Sequence, residues 1–137
     1  MLENDYIMRT ILFYVRFLRQ ALQQKNQDPR QTANDIEQKI GEAISIDPGL
    51  FFSLTPESMA TMLKLGDYSE ALAEYMLRAI ALSAEYHSLA GEYGLAELRR
   101  SQASGLITAL PVQLSIEELN REAINEFIAL HDEADEE

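Results

Sequence analysis

Apolar residues recur at three- and four-residue spacing along most of the 137-residue chain, and that period predicts helices. Over Asp5–Gln24 the track is Ile7, Ile11, Tyr14, Leu18 and Leu22. At about 100° per residue, Arg16, Gln20 and Gln23 gather beside Arg9. Apolar side chains fill the rest of the wheel, from Phe17 through Ile7, Ile11, Leu18, Val15 and Met8 to Leu12, and Phe13 borders the polar stripe. That arc is wider than one core-facing stripe. It predicts a helix at the centre of a bundle, at a contact with another subunit, or against lipid.

Asn26–Arg30 reads as a connector, with Asp28 as cap and Pro29 at the first position of a second helix running to about Ser45. Its apolar content is thin (Ala33, Ile36, Ile40, Ala43 and Ile44), which predicts an outer helix with one covered face. Asp47-Pro48-Gly49 is a turn signal, and Leu50, Phe51, Phe52 and Leu54 form an apolar cluster after it. Thr55-Pro56 opens a short third helix with Met59, Met62, Leu63 and Leu65 on its buried side, which Gly66 ends. Asp67 and Glu70 fit a capping box for a fourth helix over Tyr68–Ala90, with Leu72, Tyr75, Met76, Ala79, Leu82 and Tyr86 inward. Gly91 and Gly94 mark a turn. A fifth helix over Leu95–Leu110 places Leu98, Ala103, Leu106 and Leu110 inward, with Gly105 as a weak point or a close helix contact, and Pro111 ends it. Ser115 and Glu118 predict a capped last helix with Ile116, Leu119, Ala123, Phe127, Leu130 and Ala134 as its stripe. The reading is one all-α domain over 1–137, a five- or six-helix bundle with antiparallel neighbours or a short right-handed array.

Composition narrows the chemistry. Cysteine is absent, which excludes disulfides, thiolate catalysis, iron–sulfur ligation and cysteine-based zinc sites. The net charge of −12 argues against nucleic acid, which needs a basic footprint. The charge is uneven: residues 1–27 hold 4 basic and 2 acidic side chains, leaving 7 basic and 21 acidic for the remainder. The first helix is thus mildly basic as well as apolar, and 131–137 is expected to be an acidic, frayed tail. No secretory signal is read, and no apolar run approaches the ~20 residues of a membrane span, so the expected location is the cytoplasm.

Gly66-Asp67-Tyr68-Ser69-Glu70-Ala71-Leu72, continuing to Tyr75, Ala79 and Leu82, resembles the second-helix half of a tetratricopeptide repeat. The resemblance makes Gly66 the turn glycine and gives Tyr68, Ala71, Tyr75 and Ala79 packing roles in a repeat-like central hairpin. Ser58 and Met59 stand where that family has a leucine–glycine pair, and Ala84 where it has proline. Asp5-Tyr6-Ile7-Met8-Arg9, together with Leu54-Thr55-Pro56-Glu57-Ser58 and the helix after Gly66, resembles a family of small uncharacterised helical proteins from Gram-positive bacteria. That resemblance implies a bacterial, cytoplasmic, helical protein and assigns no reaction.

No motif for a metal, cofactor, phosphate cradle or nucleophile elbow is read. His87 and His131 lack ligand spacing, and His131 with Asp135 reads as a solvent-facing pair. Glu70 reads as a cap, Glu74 as the partner of Arg78 one turn on, Arg99-Arg100 as a solvated or interhelical element, and Tyr75 and Tyr86 as core aromatics. The leading expectation is a non-enzymatic interaction or assembly module, homodimeric through Arg9, Phe13, Arg16 and Phe17 of the first helix. A peripheral membrane contact is the other reading of that surface. The alternatives are a small-ligand-binding regulatory domain with a cavity between the central helices, and an enzyme with an unrecognised carboxylate site.

Overall fold

A computed structural model describes residues 2–23, 27–66, 68–110, 112–120 and 123–129. The α-helices are α1 (Leu2–Gln23), α2 (Pro29–Ile44), α3 (Pro48–Phe51), α4 (Pro56–Gly66), α5 (Glu70–Leu89) and α6 (Tyr93–Ala109). A 3-10 turn at Ile116–Glu118 and a helical segment at 123–129 follow. The described residues contain no strand.

Local chemistry sets the boundaries. The Asp28 carboxylate accepts from the Arg30 N–H at 3.2 Å with Pro29 at the first position of α2. Asp47 does the same for Leu50, at 3.0 Å, so Asp47-Pro48-Gly49 opens a one-turn helix rather than a plain turn. Thr55 Oγ1 accepts from the Ser58 N–H at 3.2 Å where α4 begins. The expected start of α5 is corrected by the cap that forms: Ser69 Oγ accepts from the Leu72 N–H at 3.1 Å, which makes Glu70 the first helical residue rather than the third.

Helix α5 is the axis of the fold. Tyr75, Met76, Leu77, Ala79, Ile80, Leu82 and Ala84 are buried almost all the way round it, between α2 on one side and α6 on the other. Ile44 of α2 and Leu110, just past α6, both lie by Met76, while Glu37 of α2 meets His87 near the other end of α5. Both pairs are therefore antiparallel. Ile11, Val15 and Leu18 of α1 close the core from α5 and α2.

The expectation of antiparallel neighbours fails at α4, which runs alongside α6 in the same sense. Leu54 O meets Gln102, Pro56 abuts Gly105, and Leu63 shares a cavity with Leu110. A Cβ on Gly105 would sit 2.4 Å from Pro56 Cβ, so this glycine serves the close helix contact. Helix α4 rests mainly on α6, whereas a repeat-type hairpin rests its first helix on its second.

Three expected inward residues point outward, and the first is Leu65, 82% exposed in the last turn of α4. Leu98 is 44% exposed, because Arg99 and Gln102 occupy the buried side of α6, and Ile116 is exposed on the 3-10 turn. The single expected last helix is interrupted. The Glu118 carboxylate accepts from the Ser115 N–H and hydroxyl, and Asn120 Oδ1 then accepts from the Ala123 N–H at 2.8 Å and restarts the helix. Asp67, Pro111, Leu130, His131, Ala134, Asp135 and the acidic stretch 131–137 lie outside the described residues, as do the side chains of Ile7 and Met8.

Candidate functional site

The four residues expected at a contact surface divide. Arg9 and Arg16 are exposed on α1. Phe13 is 51% exposed and Phe17 is half-buried against the core. Lys39 of α2 stands over both rings, its Nζ 5.4 Å from the Phe13 centroid and 5.3 Å from that of Phe17. Together Phe13, Arg16, Phe17, Gln20 and Lys39 line a depression of 250 Å³. Glu42 lies beside it, 3.4 Å from Lys39 Nζ. Among the described residues of this helix, Ile11, Tyr14, Val15 and Leu18 are buried within the fold and Phe13 opens to solvent.

The repeat-like positions divide between interior and surface. Tyr75 and Ala79 are fully buried, Ala71 is half-buried, and Gly66 is exposed at the end of α4. Tyr68 donates its hydroxyl proton to the Ile44 carbonyl and ties the α4–α5 connection to the end of α2. The Tyr75 hydroxyl has no hydrogen-bond partner among the described residues, and burial pushes its ionisation well above the ordinary phenol range, with the nearby Tyr14 and Glu42 adding to it.

A buried charged cluster goes beyond the interhelical salt bridge expected of Arg99-Arg100. Glu37 on α2 receives Arg99 of α6 in a two-pronged contact, Nε to Oε2 at 2.9 Å and Nη2 to Oε1 at 3.2 Å. His87 of α5 approaches the same Oε2 through Nε2 at 2.7 Å. Its Nδ1 faces Glu92 Oε1 at 3.0 Å, and Arg30 meets the other Glu92 oxygen at 3.2 Å. Gly91, at a left-handed φ of 81°, turns the chain so that Glu92 returns to His87. Gln102 accepts from Arg99 and donates to the carbonyls of Phe52 and Leu54, and the Arg99 guanidinium lies 4.5 Å from the Phe52 ring centroid. The hydrogen bond from His87 holds the Glu92 carboxyl below its usual range against the opposing effect of desolvation, and Arg30 adds to the depression. Every member is paired, so the cluster joins α2, α5, α6 and the 52–54 segment as a structural tie.

Arg78 is likewise more than the partner expected for Glu74 one turn away. It is buried, binds Glu74 at 2.9 Å, donates to the Glu118 carbonyl at 3.1 Å and lies over Phe127, which anchors the chain's last described segment to α5. Arg99 and Arg100 separate, the first buried and the second exposed.

A second depression is an apolar cavity of 310 Å³ at the opposite end of α5 from His87. Ile44, Leu63, Leu72, Ala73, Met76, Leu110 and Val112 form its walls, with Tyr68, Lys64 and Glu70 as its polar groups. Among the described residues, no group of three or more His, Asp or Glu side chains is placed to hold a metal ion, and no helix is long and apolar enough to cross a membrane. No protein-family model, no curated protein and no solved structure matches this chain.

Proposed function

We propose that the chain is a cytoplasmic, non-enzymatic interaction module that associates with a second copy of itself through the α1–α2 face around Phe13. The observation that carries this reading is the half-exposed Phe13 ring, set beside Phe17 under Lys39 and flanked by Arg16. A large aromatic at the centre of a patch rimmed by polar side chains has the composition of an interface anchor. The patch carries both signs, Arg16 and Lys39 next to Glu42, so a second copy offers complementary charge despite the net charge of −12. With one half-exposed aromatic as its anchor, the association is weak and reversible. The carboxylates of Glu37, Glu74 and Glu92 are each engaged by a cation or by His87, in keeping with structural rather than catalytic use.

Amide shifts followed on dilution test this reading. Concentration-dependent shifts should map to 13–20 and to the neighbourhood of Lys39. Spectra that do not change with concentration contradict it. Shifts at the same residues that appear only with anionic vesicles would replace the second copy with a membrane surface.

A further inference from the structure

We infer that the 310 Å³ cavity between the ends of α2, α4, α5 and α6 is a binding site for a free apolar α-amino acid, independent of the Phe13 face. Its size sits at the lower end of ligand pockets, ~300–1,000 Å³. At ~30 Å³ per water-sized group it holds about ten non-hydrogen atoms, the scale of leucine or methionine. Seven of its ten lining residues are apolar and non-aromatic, a surface that favours a branched or linear hydrocarbon.

The polar groups select the head. Tyr68 has committed its hydroxyl to the Ile44 carbonyl. Lys64 and Glu70 remain, one of each sign, both exposed, and neither has an ion-pair partner among the described residues. A fatty carboxylate would satisfy Lys64 and be repelled by Glu70, and an alkylamine the reverse. A zwitterion offers a carboxylate to Lys64 and an ammonium to Glu70 while its side chain enters the apolar interior. No covalent step is involved.

Amide-shift titration of the full chain tests this with four probes: L-leucine, 4-methylpentanoate (no ammonium), 3-methylbutylamine (no carboxylate) and glycine (no apolar body). Leucine should shift residues around Leu63, Ala73 and Met76, with a Kd on the order of 0.1–1 mM. Each half-ligand should bind about fivefold more weakly, the scale of one exposed charge pair, and glycine should leave the cavity residues unmoved. Lys64→Met should erase the advantage of leucine over 3-methylbutylamine, and Glu70→Gln its advantage over 4-methylpentanoate. Both substitutions are on exposed side chains and spare the core. Two results would overturn the proposal: no cavity shifts with leucine at about 10 mM, or equal binding of leucine and both half-ligands to the unmodified chain.

Discussion

His87 Nε2 lies 2.7 Å from Glu37 Oε2, in a contact that joins α5 to α2 across fifty residues of chain. Arg99 Nε reaches the same oxygen at 2.9 Å, so one carboxylate binds two helices to a third. Removing a single partner from such a site leaves a buried charge uncompensated. Arg99→Met should destabilise the fold by about 3–5 kcal/mol. The double variant Glu37→Met/Arg99→Met should cost less than Arg99→Met alone, because it leaves neither member of the Glu37–Arg99 ion pair uncompensated and His87 keeps its contact with Glu92. Urea denaturation of the single and double variants checks this. A double variant as unstable as the sum of the two singles would show that the pair does not act as a unit.

This cluster explains what the sequence concealed. Glu37 stands four residues after Ala33 and three before Ile40, squarely on the buried stripe of α2. Arg99 and Gln102 occupy the same kind of position among Ala96, Ala103 and Leu106 of α6. A periodicity reading that follows apolar residues alone assigns the buried side of α6 to Leu98, because it allows no polar residue inward. Opposite charges on the buried stripes of two helices were the available signal. By contrast, Asp28-Pro29 and Thr55-Pro56 marked their helix starts plainly, because a cap followed by proline acts within a few residues. The parallel run of α4 on α6 had no local signature beyond Gly105, since it depends on contacts between segments some fifty residues apart.

The acid limb of stability should depend on Glu92. Its carboxyl is depressed in the folded state, chiefly by the His87 hydrogen bond, so its contribution is present above the ordinary carboxylate range and is lost as pH falls through the lower folded value. Glu92→Gln should therefore be less stable than the parent chain near neutrality, and the two curves should converge on acidification. Thermal melts taken from about pH 7 to pH 3 check the sign. A gap that widens in acid contradicts it.

Tyr75→Phe should be neutral or stabilising, by about 1 kcal/mol. The substitution keeps the ring that packs 5.6 Å from Tyr14, centroid to centroid, and removes a buried hydroxyl with no partner. A loss of more than about 1 kcal/mol in urea unfolding would mean that the hydroxyl is satisfied in solution.

Two glycines on α6 should respond with opposite sign. Gly105→Ala meets Pro56 Cβ at 2.4 Å, and forcing α4 away should cost about 1–3 kcal/mol, more than the ~1 kcal/mol of helix propensity gained. Gly94→Ala meets nothing within 4 Å and should stabilise by about 0.5 kcal/mol. Equal responses in thermal melts would show that the α4–α6 contact is not tight.

The self-association proposed for the Phe13 face is tested most directly by sedimentation equilibrium of the parent chain and Phe13→Asp, from about 10 µM to 1 mM. Phe13 is the suitable probe because half of its surface faces solvent, whereas Phe17 packs on the core. The expected result is a parent mass that rises with concentration from 15.5 kDa toward twice that value, and a folded Phe13→Asp variant that stays at 15.5 kDa throughout. A parent chain that remains at 15.5 kDa at the highest concentration, or a folded variant that associates as readily as the parent, would contradict it.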